Sequence, residues 1–239
     1  MSVLTSLSFL ILVVLIQSFL QLPSGVFTLF YHYALGKNSK KRAADLSLFY
    51  IAGVETISVA LFLASYFLVY ILFLNQPNFE SSFLAWIFAG IFLIFSIISA
   101  FLYFRKSAAT ALFIPRSFAR AFNENAKNVK TRSDAFALGA FAASSELLFS
   151  LPLLLVASIE LMRFDSSLFP REILAFLLIL LPLLPLFFLR TLFRTGHNLA
   201  EIERLRVHNK NFFRLILSLS YLALAVLIII FRIISYGNF

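Results

Sequence analysis

The sequence predicts an all-α integral membrane protein of about six transmembrane helices, arranged as two inverted three-helix repeats. Three observations lead there. Hydrophobic residues make up 61% of the 239-residue chain and charged residues 13%, too little polar surface to clothe a soluble fold of this size. The apolar residues gather in runs of about twenty or more, the length a helix needs to cross about 30 Å of hydrocarbon. Basic residues concentrate in alternate connections between those runs, the asymmetry that orients helices in a bilayer. Strand-like alternation is absent from the runs, which argues against a β-barrel.

The six runs cover residues 3–35, 46–74, 83–104, 135–159, 173–193 and 212–235, within a single transmembrane domain spanning 1–239. The first is too long for a simple crossing. Its expected break is Leu22-Pro23-Ser24-Gly25, where proline removes a backbone donor and glycine loosens the turn. It lacks a basic leader and a small-residue cleavage site, so it reads as a retained span and not a signal peptide.

The connections are of two kinds. Lys37, Lys40, Lys41 and Arg42 follow the first run. Arg105, Lys106, Arg116, Arg120, Lys127, Lys130 and Arg132 follow the third, and Arg190, Arg194, Arg204, Arg206, Lys210 and Arg214 surround the fifth connection. The other two connections hold only Arg163 and Arg171. Six spans place all three basic connections on one side, so seventeen of the twenty basic residues face the cytoplasm and both termini face away from it. Five or seven spans would break the pattern. The net charge of +9 is therefore a topology signal first, with anionic lipid headgroups as a secondary partner and no nucleic acid expected.

Two basic-side stretches carry their own structure signals. Residues 198–210 read as a short polar helix capped by Asn198 with Glu201 three residues on. Residues 111–127 mix Phe113, Ile114, Phe118 and Phe122 with Arg116 and Arg120, as an interfacial amphipathic segment would. The competing reading is a solvated linker with incidental aromatics.

The first and fourth runs share a spaced pattern. Gln17-Ser18-Phe19-Leu20-Gln21-Leu22-Pro23 matches Glu146-Leu147-Leu148-Phe149-Ser150-Leu151-Pro152: a polar side chain, another one helical turn later, then Leu-Pro. Each pair shares one helix face. With three spans between them the copies have opposite orientation, giving half-repeats of about 1–106 and 107–239. Inverted halves commonly build a transporter site at the membrane midplane, where discontinuous helices meet.

These residues, with the run from Pro23 through Gly36, the basic turn from Lys37 to Arg42 and Gly90 inside the third run, resemble the lysine-exporter-type transporter superfamily. So does the stretch from Arg132 to Pro152, a basic residue followed by Ala-Phe-Ala-Leu-Gly, a polar cluster and Leu-Pro. The resemblance lies in layout over most of the chain and in few identities. Pro23-Ser24-Gly25 stands where amino-acid exporters of that kind usually carry Pro-Gly-Pro, and Leu151-Pro152 where Asn-Pro is frequent. The resemblance implies a six-helix inverted-repeat fold and export of a small solute or ion, without naming the substrate.

Glu55 and Glu146 lie deep inside the second and fourth runs. An ionised carboxylate in hydrocarbon is costly, so such a group faces the bundle interior and holds a proton, a transported cation or hydrogen bonds from neighbouring Ser, Thr and Gln. Gln17, Gln21 and Ser150 are candidates for the same cavity, or else interhelical glue. Pro23 and Pro152 are the expected helix breaks; Pro182 and Pro185 read as plain kinks. His32, among tyrosines near an interface, reads as a packed anchor sooner than a proton relay. His197 and His208 have no ligand set around them, and no metal site or cofactor is expected. With no cysteine in the chain, disulfides, thiolate sites and thiol redox are excluded. No nucleotide loop, Gly-x-Ser-x-Gly, His-Glu-x-x-His or intramembrane Asp pair is present, so an enzyme is not expected.

The leading expectation is a proton-coupled exporter or exchanger of a small solute or cation, in the cell membrane, with Glu55 and Glu146 as proton or cation sites. The alternative is a non-transporting scaffold or anchor subunit, its 31 phenylalanines covering a lipid or protein interface. Self-association into a homo-oligomer is compatible with either.

Overall fold

The computed structural model describes residues 3–33, 39–75, 82–102, 121–122, 124–126, 128–164, 170–194 and 210–234. All regular structure among them is helical. The helices are α1 (Val3–Tyr33), α2 (Ser39–Asn75), α3 (Ser82–Ile97), α4 (Arg132–Ser145), α5 (Leu147–Arg163), α6 (Arg171–Leu180), α7 (Leu184–Arg194) and α8 (Lys210–Ile228). α3 runs on into a π-helical turn, Ile98–Leu102, and α8 into another, Ile229–Ile234. A 3₁₀ turn, Leu181–Leu183, joins α6 to α7. The described part of each apolar run is thus helical, apart from the turn at Glu146.

Three stretches are long and apolar enough to cross a membrane: Ala44–Leu72, Leu84–Phe101 and Arg171–Thr191. α4 and α5 supply a fourth if their bent pair is one span. Thr5–Gln21 and Leu215–Phe231 are apolar but shorter. The outer surface agrees with a lipid solvent, since Phe67, Trp86, Phe101, Phe176 and Phe188 are all exposed. Soluble monomers rarely leave so many large apolar side chains outside.

Two expected helix breaks are corrected. α1 continues unbroken through Pro23, because one proline removes one backbone donor and membrane helices tolerate that loss. Pro152 lies inside α5, and the interruption comes six residues earlier, at Glu146, where α4 and α5 meet at 72°. Serines account for its position better than the proline. Ser144 Oγ donates to Ala140 O at 2.8 Å and Ser145 Oγ to Ala142 O at 2.6 Å, and such back-bonding bends helices.

The buried residues form two clusters. The first joins α1, α3, α5 and α8 through Phe9, Val13, Phe92, Leu153 and Tyr221. The second joins α2, α4 and α7 through Tyr50, Val54, Leu138, Ala142 and Leu186. Phe122, expected against headgroups, is fully buried in this second cluster; packing among apolar side chains removes its ring from water more completely than an interface would. The remainder of 111–120, His32's side chain and the polar stretch 198–209 lie outside the described residues.

α2 and α4 cross at close range, through glycines on both helices. Gly53 faces the backbone of Phe136 and Ala140, and Gly139 faces the backbone of Tyr50 and Val54. Ala135, Gly139 and Ala143 recur every four residues on α4 and are all buried, the small-residue stripe that lets membrane helices touch. α4 starts cleanly because Thr131 and Asp134 form a reciprocal cap: Asp134 N–H donates to Thr131 Oγ1 at 3.1 Å, and Thr131 N–H donates to Asp134 Oδ2 at 2.8 Å.

Polar contacts mark the two ends of the bundle. At one end Arg190 Nε donates to Ala44 O at 3.0 Å, and the Arg132 guanidinium sits 5.2 Å from the Phe49 ring centroid. The starts of α2 and α4 and the end of α7 are therefore neighbours. At the other end Ser6 Oγ donates to Glu160 Oε2 at 3.1 Å, and Arg171 Nε donates to Phe164 O at 2.5 Å.

α3 and α8 are clasped by Ser96 and Ser218. Ser96 Oγ donates to Ser218 O at 2.9 Å, and Ser218 Oγ donates to Ser96 O at 3.0 Å. Ser96→Ala is expected to cost only about 0.6 kcal/mol, the usual worth of an interhelical hydrogen bond in a membrane. Unfolding equilibria in mixed micelles measure it. A loss above about 2 kcal/mol would mean that the clasp does more than join two helices.

Candidate functional site

The bent α4–α5 junction and the 3₁₀ turn between α6 and α7 meet at one cavity. Glu146, the junction of α4 and α5, and Pro182, in the turn between α6 and α7, both line it, with Gln17, Leu20 and Gln21 from α1, Ser58, Leu61 and Phe62 from α2, and Ser150 and Leu154 from α5. Each contributing segment reaches the cavity near its middle. Glu146 has fourteen helical residues before it and seventeen after. Pro182 sits between helices of ten and eleven residues. If the segments cross a bilayer, the cavity is at mid-depth.

Four of the sequence-predicted site residues come together here: Gln17, Gln21, Glu146 and Ser150. The pairing of a polar residue with another one turn later puts both members of each pair on the inward face, and the two copies of the pattern face the same space. The cavity also lies on the seam between the two buried clusters, since Leu20, Phe62 and Leu154 belong to one and Ala143 to the other. Side chains from two separate packing units cannot interdigitate fully there, which leaves the space.

Glu146 has distinctive backbone geometry. Its φ of −88° and ψ of 0° end one helix and begin the next. Its N–H donates to Ala143 O at 3.2 Å, and its carbonyl accepts from Phe149 N–H at 2.9 Å and Ser150 N–H at 3.0 Å. The residue therefore stands between the negative end of α4 and the positive end of α5. Its side chain is 5% exposed, in a bundle whose centre carries no lysine or arginine among the cavity-lining residues.

The cavity is small. It gives the centres of water molecules about 20 Å³ to occupy, room for about one or two waters. Its polar atoms are oxygens and amide nitrogens: one carboxylate, two glutamine amides and the hydroxyls of Ser58 and Ser150. The Ser150 hydroxyl is buried and has no hydrogen-bond partner. Hard oxygen donors of this kind suit a proton, a water or a small hard cation. Among the described residues no group of three or more His, Cys, Asp or Glu stands ready to hold a metal ion.

Glu55 is not part of this lining. It is half-buried on α2, one turn before Ser58, and its Oε2 is buried without a hydrogen-bond partner. Pro23 adds no break, as described above. Pro152 lies two residues past Ser150 on α5 and does not line the cavity.

The sequence reading missed three contributors. Ser58 carries a signal in its spacing, three residues after Glu55 and thus on the same face. Pro182, read as a plain kink, shapes the cavity wall. Tyr221 on α8 carries no sequence signal at all. It is fully buried, 6.1 Å from the Phe92 ring and 5.5 Å from Phe95, and its hydroxyl has no hydrogen-bond partner. It lies within electrostatic reach of Glu146, and Phe95 in turn packs 5.0 Å from Phe149 on the first turn of α5.

No protein-family profile, curated protein or solved structure matches the chain. The site stands on its geometry alone.

Proposed function

We propose that this protein is a multi-pass membrane exchanger that trades protons for a small monovalent cation at Glu146. The observation that carries the reading is the meeting of Gln17, Gln21, Glu146 and Ser150 around one cavity, at the bent α4–α5 junction and beside the 3₁₀ turn of the α6–α7 span. Discontinuous helices at mid-depth are a common way of building ion sites in secondary transporters. One carboxylate balances one positive charge, so a proton or a monovalent cation each leaves the filled site neutral. The small volume favours an ion over an amino acid or another organic solute.

In this reading the six apolar segments all cross the membrane, as two inverted halves, in the manner of the lysine-exporter-type superfamily. The basic connections face the cytoplasm and both termini face the other side. The proximity of Ala44, Arg132 and Arg190 supports that arrangement, because it gathers the flanks of three basic connections at one end. The unbroken α1 against the bent α4–α5 pair is the main asymmetry between the halves.

The test is reconstitution into vesicles holding a pH-sensitive dye. Lithium, sodium and potassium gradients are applied in turn, with divalent cations and amino acids as comparisons. Proton movement that follows one monovalent cation is the expected result. No proton movement with any candidate, from protein that is folded in the vesicles, overturns the proposal in favour of a non-transporting scaffold.

A further inference from the structure

The seam between α1 and α5 is polar at both ends and sealed in the middle. On α1 the inward positions are Ser6, Leu10, Val13, Gln17 and Gln21. Along α5 and its N-cap they are Glu146, Ser150, Leu153, Ala157 and Glu160. Both series step by three or four residues, which keeps one stripe of each helix toward the other. The helices run antiparallel, because Ser6 meets Glu160 while Gln17 and Gln21 share the cavity with Ser150 and Glu146.

The far end of the seam holds a second carboxylate in an unusual position. Glu160 is 2% exposed and Ser6 is 4% exposed, and the serine hydroxyl donates to Glu160 Oε2 at 3.1 Å. Thr5, the residue before Ser6, is also buried, and Arg163 follows Glu160 by three residues on α5. A carboxylate at a helix end in a surface connection would be solvated; this one is enclosed. The helical rise separates Ser6 from Gln17 by about 16 Å and Glu160 from Ser150 by about 15 Å, roughly half the thickness of a hydrocarbon core. With the cavity at mid-depth, Glu160 stands at the membrane face.

Between the two carboxylates lie Leu10, Val13, Leu153 and Ala157, each no more than 4% exposed. None of these four side chains carries a polar atom, and the nearby Ser158 hydroxyl is engaged with Leu154 O at 2.7 Å.

We propose that Glu160 and Ser6 form a second proton or cation station at the membrane face, and that this apolar plug is the closed gate between it and the cavity. The inference rests on the exchanger reading above. An ion leaving Glu146 along this seam needs the plug to part, and it then meets Glu160, whose serine partner holds one carboxylate oxygen in place.

A purely structural latch makes different demands on the same residues. Glutamine at position 160 can still accept the Ser6 hydrogen bond but carries no charge. As a station, Glu160→Gln slows vesicle exchange at least tenfold with its unfolding transition little changed, and Ser6→Ala slows it less. As a latch, Glu160→Gln exchanges at the wild-type rate, and Ser6→Ala is the less stable protein. That second pattern overturns the proposal. The absence of cysteine from the chain allows a separate measurement on the gate. Val13→Cys should react with a membrane-impermeant thiol reagent at least ten times faster during driven exchange than at rest. Exchange that proceeds with Val13→Cys unreactive throughout also overturns the gate, and it does so even if no position-160 variant folds. Failure of the exchanger reading is distinct from either result, since the wild-type protein would then show no exchange with any cation.

Discussion

Replacing Glu146 by glutamine is expected to abolish cation-driven proton movement while leaving the protein folded. Glutamine matches glutamate in shape and can occupy the 72° junction of α4 and α5, but it cannot take up or release a proton. The cation loses its only counter-charge among the cavity-lining residues. Interactions with a charged partner are worth about 1.5–3 kcal/mol, so affinity for the cation should fall by roughly 10- to 150-fold. Vesicle exchange reads the coupling, and calorimetric titration of the cation reads the affinity. Glu55→Gln is the comparison. Glu55 lies outside the cavity, and its substitution should leave the affinity within about threefold of wild type, under 1 kcal/mol. Equal loss in the two variants would place Glu55 on the route. Retained coupling in Glu146→Gln would end the carboxylate mechanism.

The helical class and the approximate place of the apolar segments were legible in the sequence because a long apolar run must satisfy its own backbone, and only a helix does so within one segment. Four of the site residues were legible for a related reason. Polar side chains at a one-turn spacing inside an apolar run must share a face, and that face must turn away from lipid. What failed was the reading of the breaks. Proline is the conspicuous breaker in a sequence, yet α1 passes Pro23 and α5 contains Pro152. The real interruption follows Ser144 and Ser145, whose hydroxyls bond back to their own helix, and serine has no comparable signature. Tyr221 and Glu160 were invisible for another reason. Their places are set by the packing of α8 against α3 and of α1 against α5, contacts between segments far apart in the chain. Glu160 falls at the end of an apolar run, where a carboxylate reads as solvated, and only the antiparallel docking of α1 encloses it.

The largest loss of stability is expected from Gly139→Val. A β-carbon on Gly139 would meet the carbonyl of Tyr50 and, beyond it, the amide nitrogen of Val54. Both are backbone atoms of α2, so no side-chain rotation relieves the clash. The helices must separate. Overpacking a side-chain contact costs about 1–3 kcal/mol; one that moves a helix axis should reach the upper end or exceed it, a large share of a total stability of about 5–15 kcal/mol. Gly53 stands in the reciprocal position, against the backbone of Phe136 and Ala140, so Gly53→Val should cost a similar amount. Gly90 supplies the control, because nothing lies within 4 Å of the β-carbon it would gain. Gly90→Ala should be neutral, or stabilising by up to about 1 kcal/mol through helix propensity. Unfolding equilibria in mixed micelles separate the three variants. The crossing also holds the site together, because Gly53 precedes Ser58 on α2 and Gly139 precedes Ala143 and Glu146 on the other side of the cavity. Any Gly139→Val protein that does fold should therefore bind the cation more weakly, as Ser58 is drawn away from Glu146. Wild-type stability in Gly139→Val would show that α2 and α4 are not in backbone contact, and the cavity they frame would have to be redrawn with them.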